Sequence, residues 1–369
     1  MTEPSKITLG EKVELEHIES EFRKYWRNAV DEKKSEALLK ASTLNLIIYI
    51  EEASRYDRVL ADIDEVISHH PGRVIVAYVN KEDDRQDIDA HISVYFREFK
   101  EGQAQISAEV VVLETGNPGK AHLPGAILPL LLPDLPVFFW CTASCVLVEN
   151  SFKIVFQYTD RLIVDTPHEY QSKEQFSEIL SNVLSLKDEC KVSDLTWSEL
   201  TDWREAVAQF FDTEKNQDYL SAIEEVEIDY SGEHLTNHAF LIAGWLASAL
   251  QNVSLRQSYE DESTIYYRRT SKGFDLKLNK KRVKGVRGLH KIKIIAQPAN
   301  KTVIFTVVAM KNGTVQTNVQ IGGTRYSPNY FRLSQLSDAQ RLCNELDFLQ
   351  QDDIYLRACS NIQEYLHES

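Results

Sequence analysis

Two nearly continuous apolar runs a helix apart constrain this chain more than any other feature. Leu44–Ile50 reads LNLIIYI and Val74–Val79 reads VIVAYV, with no alternation in either. A strand apolar on both faces needs cover on both, which is the signature of a parallel sheet inside an α/β layer structure. Between the runs, Val59, Leu60, Ile63, Val66 and Ile67 fall on one face of a helical period, and Pro71-Gly72 supplies the stop. Strand, helix and strand in so short a span predict a βαβ unit with a right-handed crossover.

Further along, Ile92, Val94 and Phe96 and then Ile106, Ala108, Val110 and Val112 alternate with polar residues. The connection Lys100–Gln103 contains Gly102, which predicts a hairpin. A short helix is expected around Leu123–Leu132, broken by Pro133, followed by buried strands at Val137–Cys141 and Arg161–Asp165. Residues 41–168 therefore read as an α/β domain with a mixed, mostly parallel sheet, after a helical or extended lead-in over residues 1–40. The polar stretch Thr166–Lys173 marks the boundary. Over residues 174–369 the pattern becomes α+β: a helical stripe through Trp203, Val207, Phe210 and Phe211, a helix over His238–Leu250, four or five strands between Thr264 and Ile321, and two closing helices. Thr196 with Glu199, and Ser337 with Gln340, have capping-box spacing.

The catalytic inventory is thin. Gly116 to Lys120 lacks the first glycine and the final hydroxyl of a phosphate loop, since Glu114 and Ala121 occupy those positions. No GxGxxG follows Leu44–Ile50, so the βαβ unit has no ordinary seat for a pyrophosphate. His234 and His238 share a helical spacing, but no third metal ligand is evident nearby, and His69-His70 suit a polar helix end. No catalytic residue, cofactor or metal is expected. Cys141 and Cys145 form a C-x3-C that reads either as two structural thiols or as a reversible disulfide tuning partner binding; Cys190, Cys343 and Cys359 are scattered.

Charge excludes some functions. With 41 basic and 56 acidic residues the net charge is -15, which disfavours nucleic acid and anionic membrane as partners of the whole surface. Against that background, eleven cations lie between Tyr267 and Lys293, among them Arg268, Arg269, Lys280, Lys281 and Arg282. Three readings fit: a strand edge guarded by lysines, a patch for an acidic protein, or a nucleic-acid surface. The polar N-terminus and five cysteines suggest a cytoplasmic protein with reduced thiols, and the apolar stretch Ile127–Trp140 is too short and too proline-rich to span a membrane.

Several strings bear a likeness beyond pattern. Leu44–Val79, the LPLLLPDLPVFFW string of Leu128–Trp140, the RLIVD strand of Arg161–Asp165, the DLTWSELTDWR string of Asp194–Arg204 and the helix around Trp245 occur in the order found in one family. On these residues the chain resembles the OpcA family of glucose-6-phosphate dehydrogenase assembly and activator proteins over roughly residues 40–250. Two positions depart from its pattern: Cys141 stands where a second tryptophan is common, and Glu199 where arginine is usual. The resemblance implies a non-catalytic cytoplasmic factor of the pentose phosphate pathway that binds glucose-6-phosphate dehydrogenase and favours its active oligomer. The alternatives are a sugar-phosphate enzyme or an anion- or nucleic-acid-binding protein using residues 267–293. Under the first reading, contact residues are sought at Arg73, Pro133, Asp134, Pro136, Trp140, Trp197 and the cations 268, 269 and 280–282. Pro133 to Pro136 equally fits a rigid buried turn, and Arg73 and Arg204 equally fit pairing inside the fold. Trp203 and Trp245 belong to apolar stripes and read as core, whereas Trp197, near a helix start, is the better candidate for exposure.

Overall fold

The computed structural model describes residues 10–32, 42–97, 106–143, 147, 149–250, 254–270, 272–282, 288–299 and 301–367. Its chain divides into two units whose segments interleave: residues 1–165, 186–195 and 336–351 form the first, and 166–185, 196–335 and 352–369 the second.

The first unit opens with strand β1 (Glu11–Val13) and helix α1 (Ile18–Glu32). β2 (Leu44–Ile50) is buried at every position, as its nearly continuous apolar run requires. Helix α2 (Ala53–His69) buries the five predicted residues Val59, Leu60, Ile63, Val66 and Ile67, and β3 (Gly72–Asn80) returns parallel to β2, pairing Leu44 with Gly72 and Ile50 with Tyr78. Gly72 is required there, because a Cβ would lie 2.2 Å from the Leu44 carbonyl oxygen.

β4 (Asp89–Arg97) and β5 (Ile106–Gly116) form the predicted antiparallel pair, although its connection, Lys100–Gln103, lies outside the described residues. A 3-10 turn, helix α3 (Leu123–Ile127) and a second 3-10 turn lead to β6 (Val137–Cys141), and helix α4 (Lys153–Gln157) leads to β7 (Arg161–Val164). The chain then leaves the unit through strand β8 (Glu169–Tyr170) and helix α5 (Lys173–Ser185), and returns as β9 (Lys191–Asp194). The sheet runs β1-β4-β5-β3-β2-β6-β7-β9, and from β5 to β9 every neighbour is parallel. This is a doubly wound order with β2 and β6 at the point where the winding reverses. Under the sheet, α2 packs with Trp140, Ile163, Leu342 and Leu346 in one apolar cluster.

The second unit follows with helices α6 (Leu195–Ser198, its first residue still in the first unit), α7 (Thr201–Ala208) and α8 (Glu214–Gln217), strand β10 (Ile223–Ser231), the short β11 (Leu235–Thr236) and helix α9 (Asn237–Ala249). Next come β12 (Leu255–Glu260), β13 (Thr264–Arg269), β14 (Asp275–Lys280), β15 (Gly288–Ala296), β16 (Val303–Ala309), β17 (Thr314–Ile321), β18 (Thr324–Arg325) and β19 (Asn329–Arg332). Helix α10 (Asp338–Leu346) belongs to the first unit, and α11 (Asp353–His367) closes the second. Five strands lie between Thr264 and Ile321, where four or five are expected, and the Ser337–Gln340 capping box caps α10.

The large sheet runs β12-β13-β14-β10-β15-β16-β17-β18, with β19 beside β17, and is antiparallel except where β10 meets β14. Its centre, β10, is a strand the sequence reading left out. One face of the sheet is apolar: Val226, Ile228, Leu276, Leu278, Ile292, Ile294, Phe305 and Val307 are all buried. α9, buried on nearly every side, packs along α11, where a Cβ on Gly244 would stand 2.4 Å from the Ala358 oxygen. Among the described residues no helix is long and apolar enough to cross a membrane.

Candidate functional site

In doubly wound sheets the ligand crevice opens at the carboxyl ends of the strands, where the winding reverses. Here side-chain ties cross that edge. β2 passes into α2 through Glu51 and Glu52. Glu51 is 6% exposed. Its carboxylate accepts from the Tyr49 hydroxyl at 2.6 Å and pairs with Lys81 at 2.6 Å and Lys120 at 3.2 Å. Lys81 follows β3, and Lys120 lies in the turn after β5 and also pairs with Glu149. The near-phosphate loop at Gly116–Lys120 is thus a 3-10 turn whose lysine serves a carboxylate. On the other side, Arg55 in the first turn of α2 donates to the Thr142 oxygen after β6 and pairs with Asp165 after β7. A pyrophosphate brought to this helix N-terminus meets two carboxylates where a dinucleotide site places glycines.

The prolines at the opposite edge are on view. Asn45, fully buried on β2, accepts from the Leu132 amide at 2.8 Å and donates to the Leu132 oxygen at 2.9 Å. Its own amide donates to the Pro136 oxygen, and Asp160 accepts from the Val137 amide. Held at both ends, the turn projects Pro133 and Asp134 into solvent, with Pro136 half-buried. Asp134 adopts φ 60°, a left-handed conformation that costs a non-glycine residue free energy.

Other sought contact residues face inward. Arg73, 2% exposed, donates to Glu109 and Glu19 and to the Leu130 oxygen, because a guanidinium on a buried strand has to be satisfied inside the fold. Trp140 is 3% exposed within β6. Trp197, expected at the surface, is 2% exposed; its indole donates to Asp352 at 2.8 Å and the Arg204 guanidinium lies 3.7 Å from its ring centre. Both residues of the two-tryptophan string are therefore core, since Trp203 is buried too. Cys141 is buried and its thiol donates to the Ala143 oxygen, while Cys145 lies outside the described residues. Burial pushes the thiols of Cys190 and Cys343 up to about 12 and about 11, which keeps them protonated and unreactive.

Three cations of the basic stretch are paired by the strand missing from the sequence reading. β10 inserts its acids between the lysines of β14 and β15: Glu225 pairs with Lys277 at 2.9 Å, Glu227 with Lys293 at 3.2 Å and Asp229 with Lys291 at 3.6 Å. The hydrogen bond to Glu225 raises the Lys277 pKa. Arg269 bonds the Gly273 oxygen and Lys280 the Glu233 oxygen. Arg268, Lys281 and Arg282 remain exposed.

One constellation went unread in the sequence. The Thr196 hydroxyl donates to the Thr166 oxygen. The Glu199 carboxylate lies between two imidazoles, 3.4 Å from His168 Nε2 and 3.0 Å from His238 Nε2. Burial works to raise its pKa, but the two histidine hydrogen bonds prevail and hold the carboxyl well below its ordinary range. His234, the expected neighbour of His238, instead donates its backbone amide to Glu169.

Fold and site together define a two-unit protein that keeps a doubly wound sheet and ties its carboxyl strand ends together with ion pairs. Residues 63–181 match the family profile described as the glucose-6-phosphate dehydrogenase subunit N-terminal domain, and residues 190–359 that described as its C-terminal domain. The chain belongs to the OpcA family. Cyanobacterial relatives named as OpcA proteins of the OxPP cycle include one from Synechocystis, 31% identical over 199 residues, covering 53% of this chain and 41% of the relative. Another, from Nostoc punctiforme, is 29% identical over 208 residues, covering 55% and 42%. The match thus spans about two fifths of the length of these relatives. Among solved structures, the regulator Gal80p of Kluyveromyces lactis aligns over 88% of this chain and 89% of its own, at 8% identity and a TM-score of 0.47, too distant to bear on function.

Proposed function

We propose that this chain is a non-catalytic assembly factor and activator of glucose-6-phosphate dehydrogenase, acting in the cytoplasm. The observation that carries the reading is the carboxyl edge, where Glu51 and Arg55 tie together strand ends at the place a dinucleotide enzyme of this topology binds its pyrophosphate. The descriptions of the two matching family profiles, which name that dehydrogenase, supply the partner. Contact falls to the pinned turn at Pro133, Asp134 and Pro136 and to the exposed cations Arg268, Lys281 and Arg282. A turn already fixed by two prolines and the Asn45 hydrogen bonds loses little entropy on docking. Activation requires only that the chain bind the active oligomer more tightly than the inactive form; a coupling of about 1–3 kcal/mol gives roughly a 5- to 150-fold effect.

The test mixes the purified chain with the dehydrogenase of the same cell and follows co-elution, oligomer size and activity. Wild type should shift all three, and a Pro133→Ala/Asp134→Lys variant should weaken the shift. Unchanged elution and activity with wild type would refute the reading.

A further inference from the structure

We propose that His168, Glu199 and His238 bind one divalent transition-metal ion, zinc by its donor preference, through both Nε2 nitrogens and a Glu199 carboxylate oxygen. The three donor atoms lie within 4.8 Å of one another. Tetrahedral zinc, with bonds of about 2.0–2.2 Å, needs donors roughly 3.3 Å apart, so small side-chain rotations complete the set. Two imidazoles and one carboxylate are a recognised zinc combination, which leaves a fourth position for water. His168, with a side chain 58% exposed, opens that position to solvent, while Glu199 and His238 are 21% and 13% exposed.

The donors stand on braced backbone within the second unit. His238 is in the first turn of α9, and the residue behind its ring is Gly288, where a Cβ would fall 3.0 Å from Nδ1. Gly288 also has φ +77°, so a side chain there is disfavoured twice over. His168 is fixed to the same helix start, because its carbonyl accepts from the Asn237 amide at 2.8 Å and Asn237 Nδ2 donates to Thr166 at 2.6 Å. The β8–β11 pairing of Tyr170 with Leu235 extends the brace. Glu199 arrives from the turn between α6 and α7. A bound ion would therefore clamp three separate segments of the unit and place its positive charge against the carboxylate.

The competing state is a metal-free ion pair among the same groups, and binding measurements on the untagged full chain separate the two without any dehydrogenase. After treatment with chelator, the protein is mixed with zinc, passed through gel filtration and assayed for retained metal; cobalt serves as a visible reporter of tetrahedral coordination. We expect one equivalent retained, a zinc-dependent rise in Tm and cobalt absorption bands. His168→Ala, at an exposed position, and Glu199→Gln should each weaken binding by more than about 100-fold, beyond the loss that outer-shell changes bring. His168→Gln, which keeps a polar side chain, provides the same test should the alanine variant fold poorly. No retained metal in wild type, or retention unaltered in folded variants, overturns the site.

Discussion

Arg73 grips one carboxylate with two of its nitrogens: Nε and Nη2 lie 2.9 and 2.5 Å from Glu109 Oε2, and both side chains are 2% exposed. Glu109 also accepts from the Trp26 indole through its other oxygen at 2.7 Å, and Phe22 lies beneath the guanidinium. Removing one member leaves the other charge buried and uncompensated, which costs about 3–5 kcal/mol, whereas replacing both with apolar residues of similar volume is often close to neutral. Arg73→Met should therefore lower the urea midpoint sharply, and Arg73→Met/Glu109→Met should recover much of the loss. Equal midpoints for the single and double variants would mean that the ion pair does not organise this part of the fold.

Asn45→Ala tests whether the exposed turn depends on β2. The substitution leaves the half-buried Leu132 amide and carbonyl without their Asn45 partner, a loss of about 1 kcal/mol. Limited proteolysis should then cut near Pro133 faster, and co-elution with the dehydrogenase should weaken even where the chain stays folded. Unchanged cleavage and co-elution would show that the turn holds its shape without Asn45.

How much of this was readable in advance follows from sequence separation and chemistry. The βαβ unit was legible because six apolar residues in seven, interrupted only by Asn45, leave few alternatives, and the Ser337 cap because both of its partners lie three residues apart. β10 was missed because Glu and Asp are depleted in strands; its alternation of Val226, Ile228 and Tyr230 with Glu225, Glu227 and Asp229 was the available signal. The lysines of β14 and β15 then looked idle, since their counter-charges come from a strand more than forty residues away in sequence. His168, Glu199 and His238 come from three separate segments, so no local spacing rule could join them; only the departure from family pattern at Glu199 marked the place. Trp197 was misjudged because an amphipathic ring near a helix start fits core or surface, and the decisive partner, Asp352, is 155 residues further on.

The acid ladder of β10 carries its own prediction. Glu225→Gln/Glu227→Gln/Asp229→Asn strips the counter-charges from Lys277, Lys293 and Lys291 while altering stability little, because partly exposed pairs contribute only about 0–1 kcal/mol each. The triple variant should gain affinity for a heparin column, with elution falling steeply as salt rises, and the wild type should pass through at physiological ionic strength. Strong retention of the wild type would reopen a polyanion-binding role for residues 267–293.

His70 sets a pH dependence whose sign is fixed by burial. Desolvation lowers its pKa below that of free imidazole, although Asp347 at 3.7 Å and a hydrogen bond to the Cys343 backbone pull the other way, and His69 adds to the lowering. Between the folded value and the unfolded one of about 6.5 the unfolded chain binds the extra proton, so stability rises with pH through that window. The contribution is complete above the unfolded value and is lost as pH falls through the folded one. Urea midpoints measured from about pH 7.5 down to 5.5 should fall less steeply in His70→Asn, which cannot titrate there. They should fall more steeply in Asp347→Asn, which removes the charge that eases protonation. Wild-type midpoints that rise as pH falls through this window would mean that the carboxylate, rather than desolvation, dominates at His70.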